Sequence, residues 1–381
     1  MNSTCCSILF GGDICPQERV EELLLEKKYS DVFSDLEAVT SGYDFSIVNL
    51  ECPVVENGDI CKPIEKCGRN LKCSGEIVNA LAEAGIKGVA LANNHVRDYG
   101  DSAILNTITQ LDKRGIVHVG AGQTLHDARR VLYQYINGRS FAFVNFCENE
   151  FSIATDKTAG AAPVDAVNNY EDITQARKDA EIVVVIVHGG HEFYQLPSPR
   201  MKKLYHWYID LGADAVINHH QHCYSGYEYY KGKPIFYGLG NLCFDKKSMR
   251  NDNWNYGLLV GLYFGDTITH QIISYEQCNA APKIVLLREE KADKISDNIE
   301  SLNKIIDDDE ALKNMHDTFC ASRFGELKMY LSPYQNKYFR VLCHKGFIPS
   351  FVTDNKKKYL SNYVLCESQR DLFEKYLMSK K

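Results

Sequence analysis

The sequence contains no uninterrupted apolar run of the roughly 18 residues that a membrane-crossing helix needs, so no span is predicted. It lacks an excess of positive charge. Its 43 Lys and Arg against 50 Asp and Glu leave a formal net charge of -7, and nucleic acid is not an expected partner. It lacks the basic and apolar opening of an export signal, since Met1-Asn2-Ser3-Thr4 leads straight into the strand-like segment Cys6 to Phe10. It also lacks paired-cysteine knuckles, because Cys61, Cys67 and Cys73 stand too far apart along the chain for structural zinc. Internal repeats and low-complexity linkers are missing too.

What is present reads as a folded globular chain. Of its 381 residues 45% are hydrophobic and 24% charged, and a length of about 150 residues per domain suggests two domains. Fourteen cysteines without an export signal predict a reducing compartment, and hence a cytoplasmic location.

Up to about residue 220, short apolar runs such as Phe45 to Leu50, Gly88 to Ala92 and Ile182 to Val187 alternate with helix-period stretches, an α/β signature. Ser74 is placed to cap a helix ending near Gly85. Asp101 can open one that ends at Arg114, and another is expected from Ser198 to Leu211. Beyond residue 224 the pieces Tyr227 to Tyr230, Lys233 to Gly238, Leu258 to Phe264 and Thr267 to Ser274 read as antiparallel strands. A polar-faced helix is predicted over Ser296 to Asn314, its acidic run Asp307, Asp308, Asp309, Glu310 forming a solvated face. The expected division is a main domain over 1–285 and a helical, aromatic-rich extension over 286–381 packed on it.

Six of the 12 histidines fall in three short segments: His95, then His188 and His191, then His219, His220 and His222. Each segment follows an apolar strand candidate, and the loops after sheet strands are where open α/β folds gather ligands. Asp13 and Glu51 stand in the same way after Ile8 to Gly12 and Ile47 to Leu50. Carboxylate, amide and imidazole together suit a divalent ion such as Mn, Fe or Zn, and a carboxylate can bridge two ions. Two bridged ions lower the pKa of a bound water and clamp phosphoryl oxygens, which points to phosphoester hydrolysis.

At these residues the sequence resembles the bacterial capsule synthesis (CapA, PGA_cap) family, a branch of the calcineurin-like metallophosphoesterase superfamily. The matching motifs, in order, are Gly12-Asp13, Asn49-Leu50-Glu51-Cys52-Pro53, and Ala92 to His95 with Asp98 and Gly100. They continue with His188-Gly189-Gly190-His191-Glu192-Phe193, Gly212 to His222, and Leu239-Gly240-Asn241. The resemblance covers about residues 7–245.

The resemblance implies a four-layer αββα sandwich with a two-metal centre at one edge. Carried over by position, Asp13 and His222 would hold one ion and Asn94, His188 and His220 the other, with Glu51 bridging. His95 would stand at the place of the general acid, and Glu192 would orient His188 or accept a proton. Cys15 stands where the broader superfamily has a histidine ligand, and a packing role is expected for it. His191 reads equally as a loop residue or a substrate contact. Lys66, Arg69 and Arg97 are candidates for holding an anionic substrate, each set against the alternative of an ordinary surface charge.

The function expected is a metal-dependent hydrolase of phosphoester type in capsule or surface-polymer biosynthesis, with an anionic small molecule or polymer as substrate. The alternative is a capsule-assembly accessory protein that binds polymer or other capsule-synthesis proteins without catalysis. Cleavage of an amide in a gamma-linked polymer by the same centre stays open.

Overall fold

Cys6–Ile14 carries apolar side chains on both faces, and the two faces go to different partners. Cys6, Ile8 and Phe10 are buried with Phe141, Phe143, Val183 and Val185. Leu9 and Ile14 are buried instead with Val20, Leu24, Ile77 and Leu81. A strand with both faces covered requires a near-continuous apolar run, which this segment has. Phe45–Leu50 repeats the division, with Phe45 and Ile47 on one side and Val48 and Leu50 on the other.

The structure, a computed structural model, describes residues 5–56, 58, 61–331, 336–348 and 353–378. Among them, one sheet runs in spatial order Ile284–Leu286, Ile268–Gln277, Tyr256–Phe264, Cys6–Ile14, Phe45–Leu50, Gly88–Ala90, Val117–Val119, and the short strand Asn241–Cys243 also pairs with Cys6–Ile14. The second runs Tyr227–Tyr230, Lys233–Phe236, Ala215–His219, Ile182–His188, Arg139–Cys147, Leu132–Ile136. Their central strands are parallel, so their carboxyl ends lie together. The register puts Asp13 beside Asn49 and His188 beside His219. The strands expected to be antiparallel beyond residue 224 are so, Tyr227–Tyr230 against Lys233–Phe236 and Tyr256–Phe264 against Ile268–Gln277. The chain is therefore a mixed α/β protein.

Asn145 ties the two sheets behind the strand ends. Its Oδ1 accepts from the amides of Leu91 and Ala92 at 3.1 and 2.7 Å, and its Nδ2 donates to the Ile186 carbonyl at 3.2 Å. A buried amide satisfied on both sides fixes the relative position of the strands it joins.

Ser198 caps Pro199–Asp210, accepting from the Met201 amide. Ser74 does not cap its helix, which starts at Glu76 after Gly75. The helix predicted over Ser296 to Asn314 is two helices, Glu289–Asp307 and Asp309–Tyr330. The acidic run is the break between them. Asp308 Oδ1 accepts from the amides of Glu310 and Ala311 at 2.9 and 3.0 Å, and so opens the second helix.

The boundary also differs from the expected 285. The first compact unit is Met1–Leu312 and the second Lys313–Lys381. The helix Glu289–Asp307 belongs to the first unit because it buries Ile295, Ile299, Leu302 and Ile306 in the main core. Lys202 reinforces it, its ammonium donating to the Ile306 carbonyl at 2.6 Å and pairing with Asp309 at 2.7 Å. In the second unit the helices Asp354–Leu365 and Glu367–Met378 pack together, with the Tyr363 and Phe373 rings 5.7 Å apart. No helix among the described residues is long and apolar enough to cross a membrane.

Candidate metal centre

Asp13, Glu51, Asn94, His188, His220 and His222, spread over two hundred residues of chain, come together at the adjoining strand ends, all of them buried. They form two overlapping sets. Glu51 with His188 and His220 offers ligand atoms within 4.8 Å of one another, and Glu51 with Asp13 and His222 does the same. Glu51 Oε1 lies 3.5 Å from His188 Nε2 and 3.7 Å from His222 Nε2. Asn94 Oδ1 adds an amide oxygen 3.1 Å from His188 Nε2, and His220 Nδ1 stands 3.0 Å from the same nitrogen.

The backbone is bent to achieve this. His220 and His222 both have left-handed φ values, 92° and 55°, which bulky residues rarely adopt and which cluster at functional sites. The His220 amide donates to Asp13 Oδ2 at 3.1 Å, fastening the bend to the first strand. Gly12 lets the strand Asn241–Cys243 approach. A Cβ there would lie 1.9 Å from the Gly240 carbonyl oxygen, and the Asp13 amide donates to that same oxygen at 3.0 Å.

Electrostatics favour a bound cation. Both oxygens of Glu51 are buried without a hydrogen-bond partner. Burial, with repulsion from Asp13, Glu192, Asp98 and Glu150, pushes its pKa well above the usual carboxylate range. Burial also raises Asp13, but contacts with His219, His188 and His222 outweigh it and keep this carboxyl below its usual value. His219 Nδ1 approaches Asp13 Oδ1 at 3.4 Å, an electrostatic contact without hydrogen-bond direction. Burial drives His222 down to about 4 and His188 well below its usual value, so both rings are neutral at pH 7, the form that ligates metal. An orphaned buried carboxylate shared by two neutral-imidazole sets fits a pair of divalent ions.

Several supporting residues were quoted in the motifs without a role. Asn49 donates to Asp13 Oδ1 at 2.7 Å and contacts His188 Nδ1 at 3.2 Å. Both nitrogens of His188 are thus engaged by Asn49 and Asn94, so Asn49 takes the orienting part considered for Glu192. Asn93 holds Asn49 and the Leu50 carbonyl at 3.3 and 2.8 Å. Asn241 Oδ1 accepts from His222 Nδ1 at 2.9 Å, which fixes the tautomer that leaves Nε2 bare. Glu150 was missed entirely. It accepts from Asn94 Nδ2 at 3.2 Å and aims the amide oxygen at His188.

A cavity of about 540 Å³ opens over the cluster, with Asn94, His95, Glu192 and His222 in its wall together with Lys66 and Arg69. His95 Nδ1 faces Asp98 Oδ2 at 2.6 Å, while Asp98 also accepts from the Leu71 amide at 2.6 Å. The Lys66 residue is half-buried, but its side chain is only 3% exposed and so is not an ordinary surface charge. Its ammonium pairs with Asp98 and lies 3.1 Å from His95 Nδ1.

Two expected substrate contacts are elsewhere. Arg97 is outside the cavity wall because its guanidinium is held by Asp101 at 2.9 Å. His191 is exposed, its ring against Tyr194, because Gly190 at φ 108° turns the chain and Phe193 enters the wall instead. Cys15 is buried beside Cys52 in the helix-side core, and burial pushes its thiol up to about 11, in keeping with packing.

These features define a mixed α/β protein with a carboxylate, amide and imidazole cluster at the joined strand ends of two sheets. Residues 7–246 match the family described as "Bacterial capsule synthesis protein PGA_cap", and the chain belongs to that family. It is 32% identical over 243 residues to the capsule biosynthesis protein CapA of Bacillus anthracis, covering 62% of this chain and 59% of that protein. The PGA biosynthesis protein CapA of Bacillus subtilis is also 32% identical over 243 residues, with 63% of each chain covered. A Mycobacterium tuberculosis protein named "Probable polyglutamine synthesis accessory protein" is 28% identical over 215 residues, covering 53% of this chain and 56% of its own. The chain thus spans about six-tenths of the length of the curated relatives it matches.

Proposed function

We propose that this chain is a metal-dependent hydrolase of phosphoester type that works in the cytoplasm, beside other capsule-synthesis proteins, in making a capsule or surface polymer. The observation that carries the proposal is Glu51, buried with neither oxygen partnered and shared by two ligand sets. Asp13 and His222 would hold one ion, Asn94, His188 and His220 the other, with Glu51 between them; Mn, Fe or Zn suits the donors. Bound there, the ions would activate water and offset charge on a phosphoryl group.

The remaining work falls to the protein. Asp98 holds His95 through Nδ1, leaving Nε2 for a proton at the leaving oxygen. Lys66 and Arg69 draw the anion in, and Glu192 offers a second carboxylate in the wall for a proton. The four-layer αββα arrangement belongs to the same proposal, supported by the division of Cys6–Ile14 between a sheet-facing and a helix-facing core.

Elemental analysis of the purified chain, with turnover of p-nitrophenyl phosphate and its bis ester in added Mn, tests this reading. Roughly one to two equivalents of metal with turnover are expected. Below about 0.2 equivalents with no turnover, the accessory reading takes its place. That second reading is favoured by the packed Cys15 thiol, which supplies no ligand where the superfamily has an imidazole.

A further inference from the structure

Two phenylalanines in the cavity wall are left open to solvent, Phe151 at 38% and Phe193 at 42% exposure. Phe151 follows Glu150 and lies under the Lys66 ammonium, which is 5.6 Å from its ring centre and 3.1 Å from His95. Phe193 stands on the other ligand set, its ring 6.2 Å from His222 and 6.0 Å from Trp254. Its backbone is left-handed at φ 62°, held by an amide hydrogen bond to the Gln221 carbonyl at 2.8 Å. A bulky residue kept in that conformation while its ring faces water is not explained by core packing. Lys246 adds a cation 4.9 Å from the Trp254 ring at the same wall.

We propose that Phe151 and Phe193 determine specificity here, and that the site takes an anionic phosphate ester whose organic part carries a ring. The inference rests on the anionic-ester reading of the site and deepens it. The anionic group goes to the ligand cluster and the nearby cations. The ring goes to the exposed phenylalanine faces, where apolar and aromatic stacking favours it over a short alkyl chain. Phe151 serves the portion nearest His95, the leaving-group side, and Phe193 the portion over His222.

The test uses the full chain loaded with Mn. Calorimetry compares benzylphosphonate with ethylphosphonate, and phosphate release compares benzyl phosphate with ethyl phosphate, two esters of similar leaving-group basicity. Benzylphosphonate is expected to bind roughly tenfold more tightly than ethylphosphonate. In Phe151→Ala or Phe193→Ala the ratio falls to about threefold or less, and Phe193→Tyr restores it. Tyr135→Ala, on an edge strand away from the cavity, keeps the full ratio. Equal affinity for the two phosphonates, or a ratio preserved in both alanine variants, overturns the inference. A ring preference without turnover upholds it while removing the hydrolase reading, and turnover without ring preference does the reverse.

Discussion

Glu51 has a pKa raised above its usual value of 4.5, chiefly by burial and then by Asp13. The ion-free fold therefore binds this proton more tightly than the unfolded chain does. Stability on that account is greatest below 4.5 and falls as pH rises towards the folded pKa. At pH 7 in chelator, Glu51→Gln should melt about 3 °C or more above the unaltered chain, because an amide needs neither an unpaired buried charge nor the uptake of a proton on folding. Added Mn should raise the unaltered chain and leave the variant behind. Identical calorimetric melting in chelator would contradict the uncompensated carboxylate. His95→Asn should keep its metal by elemental analysis and lose roughly 100-fold or more in rate. An unchanged rate would take His95 out of the chemistry. All six ligand candidates were legible as residues because each stands at or just past the end of an apolar run. Their supports were not, since Asn49 and Asn241 look like any amide until the histidine each one holds is beside it.

Elements bring their own constraint through closeness. Gly12→Ala would press a methyl group on the Gly240 carbonyl, a backbone atom that cannot swing aside. Destabilisation of about 3 kcal/mol or more is expected, with loss of metal, read from urea unfolding and elemental analysis. A cost under about 1 kcal/mol would mean that the two strands can part freely. The alternating α/β pattern and the antiparallel strands past residue 224 were readable from periodicity. The break at Asp308 was not, because an acidic run on a helix face and an acidic residue opening a new helix look alike in one dimension. Glu150 escaped for a related reason. It lies three residues past its strand, in a segment held by the Ser152 hydroxyl on the Asn94 carbonyl at 2.7 Å and by the Ala161 amide on the Ser152 carbonyl at 2.7 Å.

At the scale of the whole molecule, the main unit needs the helix Glu289–Asp307. Gly226 lies against Asn303, Leu302 and Ile306, so the helix rests directly on the second sheet's outer strands. Four aliphatic side chains buried there are worth roughly 1.5–3 kcal/mol each. A chain ending at Leu312 should retain its metal and melt cooperatively, whereas one ending at residue 285 should melt at least about 10 °C lower or fail to fold. Circular dichroism of the two truncations decides it, and equal melting would restore the earlier boundary.

Local pattern in the sequence determined which residues stand at strand ends, since strand and helix periods are written in neighbouring positions. Only the tertiary structure decided which of them share one cluster and which do not. Asp101 captures Arg97, a left-handed glycine turns His191 out and brings Phe193 in, and Lys66 sinks beside Asp98. Lys66 meets Asp98 from a distant segment, the Phe193 amide is held by the Gln221 carbonyl, and even Asp101, one helical turn from Arg97, is anchored by the Ala159 amide; such contacts leave no periodic mark for a single sequence to carry.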